Sequence, residues 1–67
     1  MPPKIRELKT RLRAAGYVQR SGKGSHTVWS HPRTSQVVSM SGQDSDDAKP
    51  YQEKMIAEAV DRVKGSP

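Results

Sequence analysis

The apolar residues of this chain change their period at Gly16, and that change restricts the folds open to it. Before Gly16, Ile5, Leu8, Leu12 and Ala15 recur at i, i+3, i+7 and i+10, a single stripe along a helix. Gly16 fits the C′ position that ends such a helix. After it the pattern is that of strands. Residues 17–20 and 25–30 read as two strands joined by a glycine turn at 21–24, with His31-Pro32-Arg33-Thr34-Ser35 ending the second because Pro32 has no amide to donate. Residues 36–40 supply a third short strand.

Residues 41–49 are polar, acidic and interrupted by Gly42, which predicts a loop. Helical spacing returns with Tyr51, Met55, Ile56, Ala59, Val60 and Val63. Pro50 is tolerated there only in the first turn, Asp46 or Asp47 is expected to cap it, and Gly65 and Pro67 mark its end. The expected fold is α+β in the order α-β-β-β-α, a three-stranded antiparallel sheet with both helices on one face and the other face open. Residues 1–67 are read as a single domain.

A chain of 67 residues buries only about 60% of its unfolded surface, so its core is thin and a stabilising partner is expected. The absence of Cys excludes disulfides and thiolate metal sites. With no signal peptide and no apolar run long enough to cross a bilayer, a soluble cytoplasmic protein is expected, without a membrane partner. The net charge of +5 is unevenly spread: residues 1–33 hold eight Lys/Arg against Glu7, or +7, and residues 34–67 hold four against six Asp/Glu, or −2. A basic first half, with Lys4, Arg6, Lys9, Arg11 and Arg13 on the polar side of the first helix, suits a polyanion such as nucleic acid. A solvated cationic surface explains the same charges.

His26 is the strongest candidate for chemistry, because imidazole both accepts and donates a proton near pH 7. Its direction depends on strand parity. If Thr27 and Trp29 face the helices, His26, Val28 and Ser30 face the open side; the opposite parity buries Val28 and frees Trp29 for base stacking. His31 is an odd number of residues away, about 16 Å along a regular strand, so it does not pair with His26 unless a bulge intervenes. Gly22-Lys23-Gly24-Ser25 lacks nucleotide-loop spacing and is a hairpin turn, yet its amides and Lys23 also suit a phosphate beside His26. Asp44, Asp46 and Asp47 lack the other ligands of a calcium loop, so no metal is expected. Ser25 has no base and third group arranged around it for nucleophilic catalysis.

Several of these residues occur in a familiar order: the Lys-Ile-Arg-Glu-Leu opening of the first helix, Gly16-Tyr17, Arg20, Gly24-Ser25-His26, Trp29 and His31-Pro32. Together they make the chain resemble the HicA toxins of toxin–antitoxin pairs over nearly its whole length. The resemblance implies a fold like that of double-stranded-RNA-binding domains. It also implies a metal- and cofactor-independent ribonuclease that cuts messenger RNA through His26, held inactive by a HicB-like antitoxin over its active site. Many members carry a Pro-x-His segment after the third strand, where this chain reads Ser39-Met40-Ser41-Gly42 with no His, which leaves His26 as the lone candidate. On this reading Lys23, Gly24 and Ser25 support the phosphate while Arg20, Lys9 and Arg13 hold the RNA strand. The rivals are a non-catalytic RNA-binding module and a small basic protein that binds only an acidic partner.

Overall fold

A computed structural model describes residues 2–64, the side chain of Ser21 excepted. The elements are α1 (Ile5–Ala14), β1 (Val18–Lys23), β2 (His26–His31), β3 (Thr34–Met40) and α2 (Pro50–Lys64). The three strands form an antiparallel meander in the order β1-β2-β3. This is the expected α-β-β-β-α fold of the double-stranded-RNA-binding type. No helix among the described residues is long and apolar enough to cross a membrane.

The apolar stripe of α1 does what its spacing requires: Ile5, Leu8 and Leu12 are buried. The helix ends in a Schellman motif. The Tyr17 amide donates to the Leu12 carbonyl (2.9 Å) and the Gly16 amide to that of Arg13 (3.0 Å), with Gly16 at φ +100°. Tyr17, swung inward by that turn, is buried against the same core as Leu12 and donates its hydroxyl to the Ala59 carbonyl of α2 (2.9 Å).

Thr27 and Trp29 of β2 and Val38 and Met40 of β3 are the buried side of the sheet, packed with the α1 stripe and with Ile56, Ala59 and Val63 of α2. Trp29 is fully buried, and its indole N–H donates to the Thr27 hydroxyl at 2.9 Å, so the one polar atom of the ring is satisfied inside the core. The core therefore lies under β2 and β3. Every described side chain of β1 is exposed, Val18 to 54%, which makes β1 an edge strand wet on both faces.

Three expectations are corrected. The strand β1 continues through Ser21-Gly22-Lys23, and β3 starts at Thr34 after a turn of only Pro32-Arg33, so both hairpins are tighter than the sequence suggested. Helix α2 buries Gln52 and leaves Tyr51 59% exposed. Gln52 is tolerated in the core because its amide is used at both ends: Nε2 donates to the Ser41 carbonyl and Oε1 accepts from the Lys49 amide, each at 2.9 Å. The second of these contacts caps α2, in place of Asp46 or Asp47.

The acidic loop caps the other helix. Carbonyls of Asp46 and Asp44 accept from the free amides of Ile5 (2.9 Å) and Arg6 (3.2 Å) at the start of α1, and Asp47 Oδ1 pairs with Lys4 Nζ at 2.6 Å. The expected end of α2 at Gly65 and Pro67 lies outside the described residues.

Candidate active site

Lys23 and His26 face each other across a two-residue turn made of Gly24 and Ser25. Gly24, at φ +62°, supplies the positive φ that the first position of a II′ hairpin turn needs. A Cβ built there meets no atom within 4 Å, so the turn stands open to solvent.

Burial of Thr27 and Trp29 sets the parity of β2. His26, Val28 and Ser30 point to the open face, and His26 is exposed. Cross-strand partners share a face with Cβ atoms about 4.5–5.5 Å apart, which puts Lys23 beside the imidazole. Arg20 falls where the β1–β2 ladder slips between Gln19 and Ser21, an extra residue of the kind that bulges a strand. It is exposed, away from the turn.

On the other side of the turn lies an open groove of about 470 Å³, lined by Lys9, Gly24, Ser25, Gly42, Gln43 and Asp44. Lys9 Nζ donates to Asp44 Oδ1 at 2.7 Å. That hydrogen bond, then the charges of Lys9, Arg13 and Arg6, hold the Asp44 carboxyl below the ordinary aspartate value of 3.8. Arg13, one turn along α1 from Lys9, lies over the Trp29 ring with its guanidinium carbon 5.1 Å from the centroid.

The candidate residues thus fall into two groups that meet at the turn. Lys23 and His26 stand on the open face, and Lys9 joins Gly24 and Ser25 in the groove; Arg13 and Arg20 belong to neither. Asp44, Gln43 and Gly42 of the groove were not singled out as site residues in the sequence. Their one signal was the run of acidic residues facing a helix overloaded with cations.

His31 lies at the far end of β2 and is fully engaged. Its Nε2 donates to the Ala15 carbonyl (2.9 Å), its Nδ1 accepts from the Arg33 amide (3.0 Å), and its ring meets Tyr17 edge-on at 5.0 Å. Those partners select the neutral Nε2–H tautomer. The hydrogen bonds among the described residues include none on the His26 ring. The β2–β3 ladder does slip between Trp29 and His31, yet the slip leaves the two histidines at opposite ends of the strand. No group of three or more His, Asp or Glu side chains among the described residues is placed to hold a metal ion.

Comparison with protein-family models matches residues 5–62 to the HicA toxin of bacterial toxin–antitoxin pairs. No curated protein and no solved structure matched. The match runs from the first residue of α1 to within two residues of the end of α2 and spans the hairpin, groove and His31 corner. On that coverage, the chain belongs to the HicA toxin family.

Proposed function

We propose that this toxin is an RNA endonuclease that inhibits translation by cutting messenger RNA, with His26 as the general acid or base and no metal required. Membership in the family makes it the toxin of a pair whose antitoxin is HicB-like. The observation that carries the catalytic reading is the exposed, uncommitted imidazole beside Lys23 on the open sheet face.

In this mechanism neutral His26 takes the proton of a ribose 2′-hydroxyl. The oxygen attacks the adjacent phosphorus and the bond to the 5′-oxygen breaks, that oxygen taking a proton from water, which leaves a 2′,3′-cyclic phosphate and a 5′-hydroxyl fragment; the proton on His26 then returns to solvent. Lys23 and the amides of Gly24 and Ser25 stabilise the charge that builds on the phosphoryl oxygens. Lys9, Arg13 and Arg20 hold the flanking strand through its phosphates. Proton transfer of this kind contributes about 10²–10⁴ in rate. The protein works in the cytoplasm, as a single domain.

Labelled RNA incubated with the protein in EDTA is expected to yield 5′-hydroxyl fragments. The same RNA with His26→Ala is expected to stay intact while still being retarded in a gel. Equal cleavage by the variant removes His26 from the mechanism.

One observation favours a second reading, a non-catalytic RNA-binding module. No described residue orients the His26 ring, whereas a general base is usually fixed by a second group. Intact but retarded RNA with the wild-type protein is the outcome that selects it.

A further inference from the structure

The groove between α1, the β1–β2 turn and residues 42–44 is built around an ion pair whose two members are unequally fixed. The Lys9 side chain is only 13% exposed, whereas that of Asp44 is 62% exposed. The cation is the floor of the groove and the anion lies on its open side. The Asp44 backbone is held separately, its carbonyl accepting from the Arg6 amide, so the carboxylate can swing out without moving the loop. Arg6 and Arg13 act on the same carboxylate, so three cations of α1 bear on Asp44, while a second carboxylate, that of Asp46, lies beside Gly42 and accepts from the Gln43 amide at 2.9 Å. Two glycines form the walls. Gly24 presents backbone with open space beside it, and Gly42, at φ +110°, packs so closely on Ile5 that a Cβ would lie 3.3 Å from its Cγ1.

We propose that this groove is the seat of one RNA backbone phosphate, and that the Asp44 carboxylate occupies the seat in the free protein and yields it when RNA binds. The inference rests on the RNA-binding reading above and adds its regulation. A phosphodiester suits the seat better than a second carboxylate because the surplus charge continues along α1 from Lys9 to Arg6 and Arg13, matching a ligand with repeated charges. Displacing Asp44 is easy. A surface ion pair with one exposed partner weakens a competing ligand by no more than about fivefold. The effect is to reject isolated weak anions while admitting a strand that brings several phosphates at once.

The pair also predicts an unusual salt dependence. While Asp44 neutralises Lys9, a phosphate arriving there does not shed its own condensed cation. Once Asp44 is neutral, it does. The test is fluorescence anisotropy of a short labelled single-stranded RNA, using the full chain in a His26→Ala background so that the probe survives. Asp44→Asn, which keeps the backbone carbonyl, is expected to bind about three- to fivefold more tightly at low salt. Its plot of log affinity against log salt is expected to steepen by about 0.7. Asp44→Glu is expected to match the parent, and adding Lys9→Ala is expected to cancel the gain of Asp44→Asn. Unchanged affinity and slope in Asp44→Asn, with RNA still bound, overturn the seat and leave the RNA reading standing. A gain that survives Lys9→Ala overturns it too, since the effect is then only one of net charge. If polyglutamate gains from Asp44→Asn and RNA does not, the groove takes protein carboxylates and the assignment fails. RNA bound by neither protein overturns the RNA reading and the seat with it.

Discussion

His26 and His31 are the first and last residues of the same six-residue strand, and they are treated in opposite ways. His31 has a partner on each ring nitrogen and Tyr17 in an edge contact with its ring; it ties the end of α1, the residue before β1 and the β2–β3 turn into one corner. His26 stands at the tip of an edge hairpin, exposed, with a lysine opposite. One imidazole holds the fold together and the other is left available. In a domain with so thin a core, an acid–base group at the stable corner would trade its hydrogen bonds against catalysis, and separating the two by the length of a strand avoids that conflict.

The contrast is broken most directly by removing each ring in turn. His26→Ala is expected to lower cleavage by about 10²–10⁴ while leaving thermal stability within about 0.5 kcal/mol of wild type, as for other surface changes. His31→Ala does the reverse. Two hydrogen bonds worth about 1 kcal/mol each disappear along with the contact to Tyr17, so a loss of about 2–3 kcal/mol is expected, a fall in Tm of roughly 10–20 °C for a domain this small. Cleavage per folded molecule is expected to persist. A folded His31→Ala protein as inactive as His26→Ala would break the comparison and restore a two-histidine mechanism.

The glycines at the two ends sharpen the same point. Both Gly16 and Gly24 have positive φ, and alanine at either is expected to cost about 1–2 kcal/mol for the backbone alone. At Gly16 the new Cβ would also lie 2.7 Å from His31 Nε2, so chemical denaturation should show Gly16→Ala as the less stable of the two variants. Equal losses would mean that the His31 corner yields more readily than its bonding suggests. Gly24→Ala is instead expected to show its larger defect in RNA affinity, measured by anisotropy.

The smallest expected effect concerns pH. Asp44 has its pKa lowered by pairing with Lys9, so the pair's contribution is complete above the ordinary aspartate value and is lost as pH falls through the lower, folded one. Melting curves of wild type and Asp44→Asn are expected to differ by a constant above about pH 5 and to converge below 3.8. A difference that changes between pH 5 and 8 would place a histidine, not Asp44, behind it.

Much of this arrangement was legible in the sequence because it is local. The stripe on α1, its stop at Gly16, the three strands and the position of His26 each depend on neighbours a few residues away, and the spacing to His31 already argued against a pair. What was not legible is long-range. Asp46 and Asp47 stand just before α2 and look like its caps, yet the loop bonds to α1, some 40 residues earlier, as the Lys4–Asp47 and Lys9–Asp44 pairs show. The parity of β2 was undecidable until Trp29 was seen to fill the core. Burial of Gln52 has no signal in the helical spacing, because its two partners, Ser41 and Lys49, belong to a loop whose path a linear pattern does not encode. The sequence set Lys9 with Arg13 and Arg20 as cations along an RNA strand and Gly24 and Ser25 with Lys23 as a turn; that Lys9 lines one groove with Gly24 and Ser25, with an aspartate among them, is visible only in three dimensions.

The guanidinium of Arg13 over Trp29 gives this protein a property unrelated to catalysis. The chain has a single tryptophan, sealed in the core under a cation that lies on the polar side of α1. Any polyanion that draws Arg13 away removes the cation from over the indole ring and changes the electric field across it. The intrinsic fluorescence of the unmodified protein is thus an optical gauge of occupancy on α1, read without a label and without disturbing His26.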